Sequence, residues 1–231
     1  MWQILDSARK TALIVGILFI VASATSITSF FFFDSIYSQD YLNVVSANES
    51  QVLIGALLML TSVASIVGIP LALFSALKKC NENLALGYVG ARIFEGFFFA
   101  VNIIILLSLL SLSQEFVTSA APNVDYFQTT GNLLLADFEW NSILLDIPFA
   151  MSAIILNYLL YKSKLVPRWM SGWGFIGGAV WLPGALIGMF SLVDVTFLAA
   201  PIGLQEMALA VWLIVRGFNV SVLRSYSSKT D

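Results

Sequence analysis

The stretch from residue 84 to residue 112, LALGYVGARIFEGFFFAVNIIILLSLLSL, fixes the class of this chain. About 20 consecutive apolar residues suffice for a helix to cross a bilayer, and this run exceeds that. Inside it stand Arg92 and Glu95, three residues apart. A charged side chain at the bilayer centre costs about 2.5–3.5 kcal/mol, so such residues turn toward a bundle interior and mark a candidate site.

The rest of the sequence repeats the theme. Hydrophobic residues make up 59% of the 231 and charged residues only 11%, against about 25% charged in a soluble domain. Apolar runs predict about six spans, near 11–33, 50–77, 84–112, 139–161, 169–193 and 196–219, in one transmembrane domain covering 1–231. The expected fold class is therefore all-α, a polytopic membrane bundle. Ala22-Ser23-Ala24 resembles a signal-peptide cleavage site, but the apolar run continues past it to Phe33, which favours a first span. Pro70 and Pro183 are expected to kink their spans. Between the third and fourth spans a loop with Glu115, Pro122 and Gly131 is expected. Within it, 125–138 alternates aromatics and leucines with polar groups, as a short interfacial helix would.

Charge segregates along this topology. Arg9, Lys10, Lys78, Lys79, Lys162, Lys164, Arg168, Arg216, Arg224 and Lys229 all fall at one side of a six-span bundle. The opposite loops carry acidic residues such as Asp34, Asp40 and Glu49. By the positive-inside rule, both termini are expected to be cytoplasmic. Trp140, Trp169 and Trp173 sit at span ends, as an aromatic belt requires. A net charge of −3 argues against nucleic acid as a partner. The lipid bilayer is the expected partner, and oligomeric state is not legible. Cys80 is the single cysteine and histidine is absent, so disulfides, Cys-based metal sites and His-based catalysis are not expected. No cofactor or metal is expected, and no nucleophile–base pair supports an intramembrane enzyme.

Helical spacing places Tyr88, Arg92, Glu95, Phe99 and Asn102 on one face of the third span. On the fourth span Ser142, Asp146, Ala150, Ala153 and Asn157 share a face. Counted at about 1.5 Å per residue, Glu95 and Glu206 lie at similar depth near the midplane. Asp146 lies nearer the outer side, where it is expected to line a vestibule. On the sixth span Gly203, Ala210 and Gly217 accompany Glu206, and on the fifth Gly174-x-x-x-Gly178 and Gly184-x-x-x-Gly188 repeat, a small-residue packing pattern. Arg92 is expected to pair with Glu206 or Glu95. One guanidinium against three carboxylates leaves an excess that hydrocarbon tolerates only with protonation, water or a bound cation. The same residues also suit a purely structural clamp, with Arg92 snorkelling toward the basic side.

Three segments carry a resemblance: Gly87-Tyr88-Val89-Gly90-Ala91-Arg92-Ile93-Phe94-Glu95, Leu165-Val166-Pro167-Arg168-Trp169-Met170-Ser171-Gly172-Trp173-Gly174, and Pro201-Ile202-Gly203-Leu204-Gln205-Glu206-Met207. Together they resemble the bacterial membrane family known as domain of unknown function 4386, over nearly the whole chain. The resemblance implies a multi-pass protein of a bacterial cytoplasmic (inner) membrane and places Arg92, Glu95 and Glu206 on motif positions. Asp146 falls outside those motifs. It implies no substrate. The candidate ligand-binding set is Arg92, Glu95, Glu206, Tyr88, Asn102, Asp146, Asn157 and Gln205, for a small cationic, proton-linked or lipid-headgroup ligand. The alternative is a structural or sensory protein whose buried ion pairs only fix helix packing.

Overall fold

A computed structural model describes residues 2–119, 123–190, 196–219 and 221–222. Pro122, Arg224, Lys229 and positions 191–193 of the expected fifth span lie outside the described residues. The described residues form α1 (Trp2–Phe31), α2 (Tyr41–Ala47), α3 (Glu49–Leu77), α4 (Glu82–Thr118), α5 (Val124–Ser163), α6 (Arg168–Gly188) and α7 (Ala200–Val215). Single 3₁₀ turns stand at Asp34–Tyr37 and Thr196–Ala199. All but α2 are long and apolar enough to cross a membrane, α7 when counted from Phe197 together with the turn before it.

Local chemistry sets the ends. Asn81 caps α4 by accepting from the Leu84 N–H at 3.0 Å, and Asn123 caps α5 by accepting from Tyr126 at 3.3 Å. Lys164, in the left-handed region with φ 57°, stops α5, and Pro167 fixes the start of α6. Pro70, Pro148 and Pro183 all lie inside helices that continue through them.

The six long helices pack in chain order as a closed ring, α1 on α3, α3 on α4, then α5, α6 and α7, with α7 returning to α1. Neighbours run antiparallel: Thr25 near the end of α1 bonds Ser62 on α3 at 2.6 Å, while Arg9 at the start of α1 reaches the carbonyls of Leu213 and Ile214 at the end of α7. This alternation brings Arg9, Lys10, Lys78, Lys79, Lys162, Lys164, Arg168 and Arg216 to one end, called here the basic end. Asp34, Asp40, Glu49, Glu115, Asp125 and Glu139 gather at the other, acidic end. Phe31, Leu57, Ile104, Ile176 and Leu204 are all exposed on the outer wall. A surface so apolar is at home only against lipid.

One expectation about the loop is corrected. Residues 125–138 are not a separate interfacial helix but the first part of α5, which runs unbroken for 40 residues. Their apolar side is taken up by protein rather than by an interface: Phe127 and Phe138 pack with Tyr41, Leu42, Leu106 and Leu109. Gly131 permits the contact, since a Cβ there would overlap the Tyr41 ring. At about 1.5 Å per residue, α4 and α5 are about 55 and 60 Å long, roughly twice the 30 Å hydrocarbon core. They therefore project past the acidic end, where α2 leans on α4 and the Asp34–Tyr37 turn leans on α2. At the basic end the interior is filled solidly by Leu73, Leu77, Tyr88, Leu156, Leu160 and Leu213 with their neighbours.

Candidate functional site

α4 divides its faces cleanly. Phe94 and Phe97 point outward, whereas Tyr88, Arg92, Glu95 and Asn102, spaced by three, four and seven, are buried. Arg92 is 2% exposed, and its guanidinium reaches across the ring rather than toward the basic end. Nη2 donates to Glu206 Oε1 on α7 at 2.5 Å, and Nη1 donates to both oxygens of Glu95 at 3.2 Å. The rings of Phe19, Tyr88 and Phe149 stand 5.7–5.8 Å from the guanidinium carbon, a distance at which the π face attracts a cation. Four helices thus converge on one positive charge. Arg92 Nε and the Tyr88 hydroxyl have no hydrogen-bond partner among the described residues.

Beside the cluster lies a cavity of about 360 Å³ lined by Arg92, Glu95, Glu206 and Asp146 together with Phe19 and Phe149. Asp146 is only half-buried and makes no hydrogen bond or ion pair among the described residues. A second cavity of about 240 Å³ continues toward the acidic end, walled by Asn102, Ser142, Ser29 and Phe138. The two share Phe30, Phe99, Leu145 and Asp146. Asp146 therefore stands at the junction of the central cluster and the outer chamber. Among the described residues no three Asp, Glu or Cys side chains are placed to share one metal ion.

The other candidate residues go elsewhere. Asn102 accepts from Asn141 Nδ2 at 2.7 Å and donates to Ser142 Oγ at 3.0 Å, tying α4 to α5 along the outer chamber. Asn157 and Gln205 form a separate buried clasp: Gln205 Nε2 donates to Asn157 Oδ1 at 3.1 Å and to the Met170 carbonyl at 3.4 Å. Neither residue lines the two cavities. Tyr88 sits one turn below Arg92 as the floor of the cluster, also off the cavity wall. The sequence reading missed α1, which supplies Phe19, Ser23, Ser26 and Phe30 to the wall. Its only signal was the run of Ser and Thr from Ser23 to Ser29, unusual in a first span.

The glycines show where helices touch. A Cβ at Gly174 would overlap the Asn157 amide, and one at Gly178 would meet Ile154 and the Ala150 carbonyl, so this pair seats α6 on α5. Gly188 and Gly203 meet nothing within 4 Å, so neither serves the close packing expected of it. At Gly16, by contrast, a Cβ would come within 2.7 Å of the Ala210 carbonyl. The α1–α7 seam is therefore tight at the basic end, at Gly16 and Arg9. Toward the acidic end it is lined by Ser23, Ser26 and Ile27 of α1 and by Gly203 of α7, where the cavity lies.

No curated protein and no solved structure matches this chain. A family model does match, and its span from residue 14 to residue 217 runs from within α1 to just past α7 and takes in the buried cluster. The match covers most of the chain, which therefore belongs to the family described as domain of unknown function DUF4386.

Proposed function

We propose that this protein binds, and by extension moves, a small organic ammonium ion held in the cavity beside Arg92. The observation that carries the reading is Asp146. It is a carboxylate without a hydrogen bond or salt-bridge partner, facing a cavity that already holds Glu95 and Glu206 against one guanidinium. A cation would balance the excess, and the phenyl walls from Phe30 and Phe99 suit an organic cation. In this reading Arg92 is the fixed counter-charge that holds Glu95 and Glu206 in place, and Asp146 meets the ligand. The ligand reaches the site from the acidic end, along the outer chamber or the parted α1–α7 seam. The charge pattern supports a basic end in the cytoplasm and an acidic end outside, and the family resemblance supports a bacterial inner membrane.

The test is a thermal-unfolding screen of detergent-purified protein against ethylammonium, choline and tetraethylammonium. A ligand at a hundredfold its dissociation constant adds about 2.7 kcal/mol, so the transition should rise for wild type and stay fixed for Asp146→Asn. If Asp146→Asn folds and responds like wild type, or if no ammonium shifts either protein, the reading fails. The second reading, a structural clamp, is favoured by the way Arg92 ties α4 to α7. It expects Glu206→Gln to lower stability with no ligand response to lose.

A further inference from the structure

The surface at the basic end carries a recess away from the buried cluster. Lys164 closes α5, Arg168 opens α6 and Arg216 closes α7. The three cations, from three different segments, rim a cup of about 350 Å³ floored by Leu165, Val166 and Phe218. The floor is rigid: those three residues are buried, and Asn219 N–H bonds the Leu165 carbonyl at 2.8 Å. The side chains of Lys164 and Arg216 make no hydrogen bond or ion pair among the described residues, and the Arg168 guanidinium only stacks on Tyr161 at 5.0 Å. The start of α6 also has no side-chain cap, so its first N–H groups and the positive end of its dipole add to the same potential.

The cup does not stand alone. An apolar groove of about 510 Å³ lies between α6 and α7, walled by Trp169, Met207, Val211 and Val215, and it shares Trp212 and Arg216 with the cup. From Met207 to Val215 the groove follows α7 for about 12 Å, most of the roughly 15 Å depth of one leaflet. A charged cup at the interface leading into a leaflet-deep apolar groove has the shape and polarity of one amphiphile. We propose that this is a binding site for an anionic phospholipid. Its phosphate is held by Lys164, Arg168 and Arg216 and the α6 N-terminus, and one acyl chain lies along Trp169, Val211 and Val215. The proposal is independent of the ammonium site and would survive its failure.

The test is native mass spectrometry and thermal unfolding of the full chain in neutral detergent. The probes are phosphatidylglycerol, phosphatidylcholine of the same chains, and glycerol phosphate without chains. One phosphatidylglycerol per protein should bind saturably and in preference to phosphatidylcholine. Each basic residue near a charged lipid is worth about fivefold in affinity, so Lys164→Gln, Arg168→Gln and Arg216→Gln together should weaken binding roughly a hundredfold. All three side chains are exposed, so the triple variant should fold, which circular dichroism checks. Lys78→Gln with Lys79→Gln, also at the basic end but outside the cup, should leave binding unchanged, and Val211→Ser should weaken it. The proposal is overturned if the triple variant binds like wild type, or if the Lys78/Lys79 variant loses as much, which would mean a diffuse field. It is equally overturned if glycerol phosphate binds as tightly as the lipid, which would make the groove irrelevant.

Discussion

The two halves of the bundle interior are built from the same six helices to opposite ends. Toward the basic end, Leu73, Leu77, Leu156, Leu160 and Leu213 close the ring around Tyr88, and α1 meets α7 at Gly16. Toward the acidic end the ring encloses two adjoining cavities, with Asp146 at their junction and Gly203 in open space. The Arg92 cluster lies on the boundary. What differs is where packing is complete, not helix order: aliphatics close the basic half, while in the other the cluster of Phe33, Leu106, Leu109 and Phe138 leaves two recesses open beside Glu95, Asn102 and Asp146. A buried ion pair by itself is weak evidence for function, because tying helices together is use enough. An unpaired carboxylate on a cavity wall beside that pair is a different observation, and among the described residues Asp146 in the open half supplies it.

That contrast can be broken by substitution, with unfolding in mixed micelles as the measurement. The largest loss is expected for Arg92→Met, which strands Glu95 and Glu206 without their counter-charge and should cost about 3–5 kcal/mol. Adding Glu95→Gln and Glu206→Gln to it should recover much of that loss; if it does not, the cost lies in packing rather than charge. Next comes Gly174→Val, which must displace Asn157 and should cost about 1–3 kcal/mol as an overpacked contact. Gly203→Ala, in the open seam, should stay within about 0.5 kcal/mol. Equal effects at the two glycines would erase the difference between the halves. Asn102→Leu removes interhelical bonds worth about 0.6 kcal/mol on average in membranes, and no more than about 1.7. An effect as small as that of Gly203→Ala is expected for Asp146→Asn, within about 0.5 kcal/mol in the absence of ligand, because that carboxylate has no bond to lose.

Much of this was legible in the sequence, and the reasons are particular. Arg92 could be paired in advance with Glu206 or Glu95 because depth follows residue count along a helix, and because hydrocarbon forbids an unpartnered charge. Asp146 could be turned inward by its spacing, but its place at a junction of two cavities depends on what the neighbours fail to fill. Periodicity does not report volume. The length of α5 was missed because residues 125–138 carry the amphipathic pattern of an interfacial helix. That pattern is satisfied equally by packing on α2 and α4, and only the tertiary contact with Tyr41 decides. Asn157 shares a face with Asp146 and Gln205 adjoins Glu206 in sequence, yet the two bond each other, since two buried amides at matching depth are natural partners. The contribution of α1 was hidden because phenylalanine and serine in a first span look the same whether they face lipid or a cavity.

Cysteine accessibility compares the two halves most directly. In a Cys80→Ser background, Ser26→Cys and Gly203→Cys on the cavity wall, with Ala85→Cys and Ala153→Cys in the packed interior, would be exposed to a small cationic thiosulfonate reagent in intact membranes. Rapid modification at positions 26 and 203, slowed by a bound ammonium and by Asp146→Asn, with none at 85 and 153, is the expected result. Equal reaction at all four positions, or none at 26 and 203, would contradict an open, cation-attracting cavity beside Arg92.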